Sequence, residues 1–303
     1  MNVVFMGTPD FAVPTLRKLA ESDHNVLAVF TQPDKPVGRK QILTPPDVKV
    51  CAEEYGIKVF QPTTLKDENS QKELKALNPD VIVVVAYGKL LPKAVLDIPR
   101  FGCINVHGSL LPEYRGASPI QSAVLNGEKV TGVTTMYMGE GLDTGDILLT
   151  SETEIGENET SAELFDRLSV LGADLLIETL GRLGEIEPRV QDESRATYTK
   201  KITKDMCPID WTKPCEEVHN LVRGLQTWPV AVTTLGGRDI KIHSTILCEK
   251  SGRAGEIISV DPLTVACGSG SVIIKELQLS GKKRMDSKSF LLGHPLSVGE
   301  FFS

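Results

Sequence analysis

The sequence predicts two domains: an α/β domain built on a parallel sheet, followed by a small antiparallel β barrel. Near the N-terminus, a strand, a Gly-Thr-Pro-Asp turn, a helix and a second strand follow one another, which is the order of a parallel α/β unit. Beyond residue 230, five short alternating runs are separated by Gly-Gly, Asp-Pro and Gly-Ser-Gly turns, which favours a small barrel. A length of 303 residues is sufficient for two such domains.

The first domain is predicted at residues 1–184, from alternating strands and helices. DVIVVV at residues 80–85 is apolar on both faces, as expected of a central parallel strand that is covered on both sides. The predicted strands are residues 2–6, 25–31, 57–60, 80–85, 103–107, 133–138 and 147–151, and the predicted helices are residues 11–21, 47–55, 69–77, 118–125 and 161–183.

Two irregular stretches interrupt or follow this domain. Residues 32–46 are predicted to be a long loop with five glycines and prolines and three basic residues, and its length exceeds that of ordinary α/β connections. Residues 185–206 are polar and are predicted to be a linker. The second domain is then residues 207–303, with a helix at 214–225 and strands at 231–235, 240–247, 255–260, 263–267 and 272–279.

Composition excludes several classes of protein. The N-terminus lacks a basic signal-peptide region and no apolar run approaches the roughly 20 residues that span a bilayer, so we expect a cytoplasmic protein without a membrane partner. The six cysteines form no C-x-x-C pair, which indicates reduced thiols and no metal site. The net charge is −7, but residues 207–303 carry 11 basic and 10 acidic side chains, so the acidity resides in the first domain.

A candidate site lies between residues 103 and 146. Asn105 and His107 are two apart in a predicted strand and therefore project from the same face at its C-terminal end, the edge where open parallel sheets bind ligands. Asp143 follows the next apolar run. An amide can stabilise an oxyanion, an imidazole can donate a proton, and a carboxylate can orient the imidazole, which together suits acyl transfer.

Other interpretations of these residues were weighed. Ser109 lacks the G-x-S-x-G context of a nucleophile, so we expect the substrate to supply the nucleophile. An isolated Asn-x-His pair is also compatible with a structural role. The DTG triplet at residues 143–145 occurs once, whereas aspartic proteases need two such carboxylates. Pro9 and Ala12 replace the glycines that a dinucleotide-binding G-x-G-x-x-G would place after Gly7, which disfavours a nicotinamide cofactor.

Longer motifs carry a resemblance to a known family. INVHGSLLPEYRGASPI from Ile104, followed by TGV and GLDTGDIL, closely resembles the folate-dependent formyltransferases. GTPDFA from Gly7, TQPDKPVGRK from Thr31 and VVVAYGKLLP from Val83 resemble the branch whose acceptor is methionyl-tRNA. The resemblance extends from Val3 to about Lys283.

The resemblance implies a Rossmann-like parallel-sheet formyltransferase domain with a C-terminal OB-like barrel that binds tRNA. It implies formyl transfer from 10-formyltetrahydrofolate, as co-substrate and without a metal, to the amino group of methionyl-initiator tRNA by a monomer. Its catalytic residues match Asn105, His107 and Asp143. The folate-binding positions match Ala86, Tyr87, Gly88, Leu90, Ser109, Leu110, Leu111 and Pro112, and the principal basic residue of the tRNA-binding loop matches Arg39, which Lys40 follows. Lys282, Lys283 and Arg284 form the strongest basic cluster of the second domain and are the tRNA-binding candidates there.

Some alternatives remain open at this point. Arg115 is the one functional charge expected in the 109–116 loop, which could equally be a structural lid. The acceptor could be a small amine, such as glycinamide ribonucleotide or an amino sugar nucleotide, although such a substrate needs neither the long loop nor the second domain. The chain could also be a nucleic-acid-binding protein with a degenerate α/β domain, but the intact Asn, His and Asp set disfavours this.

Overall fold

The computed structural model describes residues 1–38 and 40–303. These residues form two compact units, each with its own core. The first comprises Met1–Gly116, Thr131–Thr153 and Phe165–Tyr198, and the second comprises Ala117–Val130, Glu154–Leu164 and Thr199–Ser303.

The elements up to residue 181 include every predicted strand and helix, together with three short strands and one short helix that were not predicted. In chain order they are β1 (Asn2–Gly7), α1 (Val13–Ala20), β2 (Asn25–Phe30), β3 (Lys35–Val37), β4 (Ile42–Thr44), α2 (Asp47–Glu54), β5 (Val59–Phe60), α3 (Glu68–Ala76), β6 (Val81–Val85), α4 (Lys93–Leu96), β7 (Cys103–His107), β8 (Arg115–Gly116), α5 (Pro119–Leu125), β9 (Val130–Tyr137), β10 (Ile147–Glu154) and α6 (Ser161–Gly181).

The first unit contains a seven-stranded sheet in the order β10-β9-β7-β6-β1-β2-β5. The five strands from β7 to β5 are parallel, which confirms the α/β prediction, and β9 is antiparallel to β7. All five residues of β6 are buried, as its VIVVV sequence predicts. On one face of the sheet, apolar residues of β1, β2 and β6 form a core cluster with Leu74 of α3 and Val95 of α4.

The strand order contains a topological switch point, where open parallel sheets commonly bind ligands. β2 lies on one side of β1 and β6 lies on the other, so the chain reverses direction across the sheet between β1 and β6. At such a switch point the connections diverge and leave a crevice at the carboxyl ends of the strands. The catalytic candidates on β7, the strand next to β6, lie at this edge.

The predicted loop at residues 32–46 is more ordered than expected. It contains a hairpin in which β3 and β4 pair antiparallel, with Lys35 opposite Thr44 and Val37 opposite Ile42. Val37, Ile42 and Leu43 expose more than half of their surface. This hairpin was not predicted, because a strand of three residues shows too little alternation of apolar and polar side chains to be recognised among prolines and basic residues.

The second unit is an antiparallel β domain, as predicted. The remaining elements of the chain are β11 (Tyr198–Thr199), α7 (Cys215–Gly224), β12 (Ala231–Leu235), β13 (Arg238–Cys248), β14 (Ile257–Val260), β15 (Leu263–Ala266), β16 (Ser271–Leu279), β17 (Met285–Asp286) and α8 (Ser287–Gly293). The order of its sheet is β12-β13-β16-β15-β14, with β17 on β16. Trp211, Val218 and Phe290 pack with the inward residues of this sheet.

No helix among the described residues is long and apolar enough to cross a membrane.

Candidate active site

Asn105 and His107 lie on β7, between β6 and β9. Asn105 is opposite Val84 of β6 and Met136 of β9, and His107 is opposite Thr134. Both side chains are buried, at 9% and 6% exposure. Within the described part of the chain, the Asn105 amide makes no hydrogen bond, so its N–H groups are available to a ligand at this edge.

The His107 ring has an acceptor near each nitrogen. Nε2 is 2.9 Å from the carbonyl oxygen of Tyr114. Because a carbonyl can only accept, Nε2 must carry a proton. Nδ1 lies 3.8 Å from Oδ2 of Asp143, which is longer than a hydrogen bond. With a second proton on Nδ1, the ring is cationic beside a carboxylate. The Nδ1 proton is not bonded to Asp143 and is therefore available to a third group.

A tight turn positions Asp143. The residue lies between β9 and β10 with φ of +53°, and its Oδ2 accepts a hydrogen bond of 2.8 Å from the backbone N–H of Gly116. Gly145 permits this turn, because a Cβ at that position would lie 1.8 Å from the carbonyl oxygen of Tyr137. The glycine in the DTG triplet is thus explained by a close backbone approach.

The hydrogen-bond network around the buried Arg115 side chain was not predicted from the sequence. The Arg115 side chain is fully buried and bonds Gln191, Glu193 and Tyr198. Gln191 in turn donates to the carbonyl oxygens of Asp143 and Gly145. The partners of Arg115 come from the stretch predicted to be a linker, and no periodic pattern in that polar stretch marks Gln191 as buried.

The residues predicted to bind folate differ in exposure. Ala86 and Gly88 follow β6 with positive φ, and they are exposed together with Leu90. The Tyr87 side chain is buried, which raises the pKa of its phenol to about 12, while its carbonyl oxygen accepts from Thr8 and Gln32. This places backbone atoms, rather than the Tyr87 ring, at the surface of the sheet edge.

The second stretch predicted to bind folate forms a mostly buried turn after β7. The Ser109 hydroxyl donates to the carbonyl oxygen of Glu113 at 2.6 Å, and Leu111 N–H donates to Thr134 at 3.1 Å. Leu110 is half-buried, and Pro112 is buried after a cis peptide bond.

The tRNA-binding candidates lie in two places. Arg39 lies outside the described residues, and Lys40 is exposed in the turn between β3 and β4. In the second unit, Lys282 and Lys283 are exposed on the turn after β16. Arg284 Nε donates to Glu276 at 3.0 Å, so its charge already has a partner.

Lys282 and Lys283 border a cavity of about 380 Å³ in the second unit. The rest of the lining is apolar or aromatic, with Leu279, Met285, Phe290 and His294. The rings of Phe290 and His294 stack with centroids 4.7 Å apart. Two cations beside an aromatic surface suit a nucleotide, which offers both phosphate and a base.

Within residues 1–38 and 40–303, no three His, Cys, Asp or Glu side chains come together in a group able to hold a metal ion.

Comparison with known proteins extends the match over the whole chain. Residues 1–180 match the formyl transferase family, and residues 201–295 match the formyl transferase C-terminal domain. The methionyl-tRNA formyltransferase of Citrifermentans bemidjiense is 51% identical over 99% of this chain and 95% of the relative. That of Trichlorobacter lovleyi is 50% identical over 98% and 96%.

A solved structure shows the same fold at low identity. An N-formyltransferase from Helicobacter canadensis, crystallised with folinic acid and dTDP-3-aminofucose, superposes with a TM-score of 0.69 at 20% identity. The match covers 90% of this chain and 97% of that one.

Proposed function

The chain belongs to the formyl transferase family, and from this premise we propose that it formylates the amino group of methionyl-initiator tRNA. The formyl donor is 10-formyltetrahydrofolate. The relatives that are about half identical over nearly their full length are named methionyl-tRNA formyltransferases, and this supports methionyl-tRNA as the acceptor over a small amine. The product serves translation initiation, and we propose a cytoplasmic monomer.

The observation that carries this proposal is the arrangement of Asn105, His107 and Asp143. Asn105 and His107 share a face of β7, where residues two apart are separated by about 6.6 Å. A formyl group between them would receive an amide N–H from one side and an imidazolium N–H from the other. Asp143 lies beyond the imidazole, with Oδ2 held by Gly116.

The proposed reaction begins when the neutral amine of the methionyl ester attacks the formyl carbon. The carbonyl oxygen becomes an oxyanion, which Asn105 and cationic His107 stabilise by hydrogen bonds. The Asp143 carboxylate takes a proton from the attacking nitrogen through a water molecule. His107 gives its Nδ1 proton to the folate N10, so the bond from N10 to the formyl carbon breaks and the formyl amide is released.

The folate site is proposed at the same sheet edge. Ala86, Gly88 and Leu90 present backbone and apolar surface beside β7, so we propose that this segment contacts the pterin and that Tyr87 contributes through its backbone. Ser109, Leu110, Leu111 and Pro112 form the adjoining wall. The hydrogen bonds of Ser109 to Glu113 and of Leu111 to Thr134 on β9 support a rigid wall.

We further propose that residues 207–303 bind tRNA and that the predicted linker, residues 185–206, joins them to a catalytic region at 1–184 while its residues up to Tyr198 pack within the first unit. Lys282 and Lys283 would contact phosphates, and the adjoining cavity would hold a base against His294. Arg284 would have to exchange Glu276 for a phosphate. Arg39, and Lys40 from the β3–β4 turn, would contact the acceptor end.

A labelled-formyl assay tests the proposed function. Purified protein is incubated with 10-formyltetrahydrofolate labelled in the formyl group and, separately, with charged initiator tRNA, charged elongator tRNA, glycinamide ribonucleotide and an amino sugar nucleotide. We expect label on initiator methionyl-tRNA. Label on a small amine and none on tRNA would instead establish small-amine formylation.

A further inference from the structure

We propose that residues 191–198, named here the strap, position His107 and Asp143 for proton transfer, with Gln191 and Thr197 as positioning residues. The inference deepens the proposed function and rests on it for the identity of the reaction. Neither residue bonds the side chain of Asn105, His107 or Asp143. Each acts through the short segment Tyr114–Gly116 or through the backbone at Asp143.

At one end of the strap, Thr197 bonds the backbone segment whose carbonyl oxygen bonds His107. The carbonyl oxygen of Tyr114 accepts from His107 Nε2 at 2.9 Å. The N–H of the same residue donates to Oγ1 of Thr197 at 2.8 Å, and the N–H of Arg115 donates to the Thr197 carbonyl oxygen at 2.9 Å. Thr197 therefore fixes the peptide unit that contains this carbonyl, through the Arg115 N–H, and the peptide unit before it, through the Tyr114 N–H.

The other end holds the backbone of Asp143. Nε2 of Gln191 donates to the carbonyl oxygens of Asp143 at 2.8 Å and of Gly145 at 2.7 Å. Gln191 is only 5% exposed, and Asp143 has a positive φ, a conformation that costs energy for a residue with a side chain. The two hydrogen bonds from Gln191 therefore stabilise the turn in this unfavourable conformation.

Arg115 joins the two ends. Its guanidinium donates to Oε1 of Gln191 at 2.8 and 3.1 Å and to both carboxylate oxygens of Glu193, at 2.7 and 2.9 Å. It also donates to the Tyr198 hydroxyl at 3.0 Å. A buried cation requires such partners. The Arg115 side chain thus holds the strap. The residues on either side of Arg115, Tyr114 and Gly116, bond His107 and Asp143.

The chemistry of position 191 requires an amide. Its oxygen faces the N–H groups of Arg115 and its nitrogen faces two carbonyl oxygens, so one end must accept and the other must donate. Gln191→Glu keeps the size and the Arg115 contacts but places a carboxylate oxygen against the carbonyl oxygens of Asp143 and Gly145. This substitution therefore releases the Asp143 turn alone.

The first test is the kinetics of Gln191→Glu in the full-length protein. We expect kcat to fall at least tenfold, with the KM of tRNA and folate each within about threefold, because small displacements of catalytic groups reduce rate more than binding. Ser194→Ala is the matched control, since Ser194 lies in the strap but bonds only Asp192. It should retain wild-type kinetics.

A second pair of variants covers the case in which Gln191→Glu fails to fold. Thr197 is exposed, so Thr197→Val should fold while removing the acceptor of Tyr114 N–H. We expect its kcat to fall, whereas Thr197→Ser, which keeps the hydroxyl, should restore it. A purely structural role for the side chain would not distinguish valine from serine in kcat while both remain folded.

The readout besides activity is the NMR signal of the His107 ring, identified by its absence in His107→Asn. We expect this signal to shift in Gln191→Glu and Thr197→Val but not in Ser194→Ala. Unchanged kcat and ring signal in folded variants would overturn the proposal, and so would a raised KM at constant kcat. A shifted ring signal in a protein that formylates no tRNA would refute the proposed function and leave the strap intact.

Discussion

The carbonyl oxygen of Tyr114 lies 2.9 Å from Nε2 of His107, so the backbone determines which ring nitrogen faces the substrate. The remaining nitrogen, Nδ1, is 3.8 Å from Asp143, close enough for electrostatic attraction and too far for a direct hydrogen bond. The gap is where a substrate atom or a water molecule can take part. The proton that moves in the proposed reaction is therefore the one on Nδ1.

Replacing Asp143 by Asn should abolish most turnover while leaving the fold and folate binding intact. The amide oxygen can still accept from Gly116, but the charge beside His107 and the acceptor for the amine proton are removed. We expect kcat to fall by about a hundredfold or more, the usual scale of general acid–base catalysis. Steady-state kinetics and folate fluorescence titration measure the two effects.

Glu140→Gln is the control for this prediction, because Glu140 is an exposed acid in the same loop. It should leave kcat unchanged. Near wild-type turnover in Asp143→Asn would refute the role assigned to Asp143.

Replacing Lys282 and Lys283 by Ala should weaken tRNA binding and make it less sensitive to salt. For every phosphate that the variant no longer binds, the slope of log affinity against log salt should decrease by about 0.7 to 0.9. Filter binding between low and moderate salt measures this slope. The charge-matched control is the Lys213→Ala and Lys250→Ala pair. An equal slope in both double variants would exclude these lysines as phosphate contacts.

Arg284→Ala should change the salt slope less than either lysine substitution. Arg284 is bonded to Glu276, so binding a phosphate would require breaking this ion pair. The same filter-binding series tests this order. A slope change as large as that of Lys282→Ala would show that Arg284 exchanges partners readily on binding.

Arg39→Ala and Lys40→Ala should each raise the KM of tRNA and leave the KM of folate unchanged. Lys40 is exposed in the β3–β4 turn and is not part of the segments proposed to bind folate, residues 86–90 and 109–112. We expect about a tenfold effect, equivalent to about 1.4 kcal/mol. Kinetics with each substrate varied in turn measure it, and equal increases in both KM values would indicate that the hairpin is structural.

The stability of the second unit should decrease as the pH falls below about 6.5, the ordinary pKa of histidine. Burial, and secondarily the charge of Arg223, lowers the pKa of His219. Its neutral ring accepts from Thr245 at 2.8 Å and donates to the Glu157 carbonyl at 3.1 Å. Because the unfolded chain binds the proton more readily, protonation favours unfolding.

His219→Gln tests this pH dependence. The variant should be less stable than the wild type at pH 7, and the difference in the free energy of unfolding should shrink toward pH 5. Urea titration at both pH values measures it. Parallel stability curves for the two proteins would mean that His219 does not titrate as burial indicates.

Local sequence patterns predict much of the fold, but they do not predict the residues that hold His107 and Asp143 in place. The VIVVV run predicted a buried strand because both faces are apolar, and the spacing of Asn105 and His107 predicted a shared face. Gln191 could not be predicted, because a buried glutamine and an exposed one look alike in a polar segment. Its burial depends on Arg115, which is 76 residues away in sequence. The short β3–β4 hairpin was missed for lack of length.

The strap also bears on how chimeric enzymes of this family can be built. The N-terminal family match ends at residue 180, yet the groups that hold His107 and Asp143 reach from Gln191 to Tyr198. A gene fusion made at residue 180 would transfer Asn105, His107 and Asp143 and leave behind the residues that hold His107 and Asp143. Junctions should therefore be placed after Tyr198, so that the catalytic pair and its strap are inherited from the same parent.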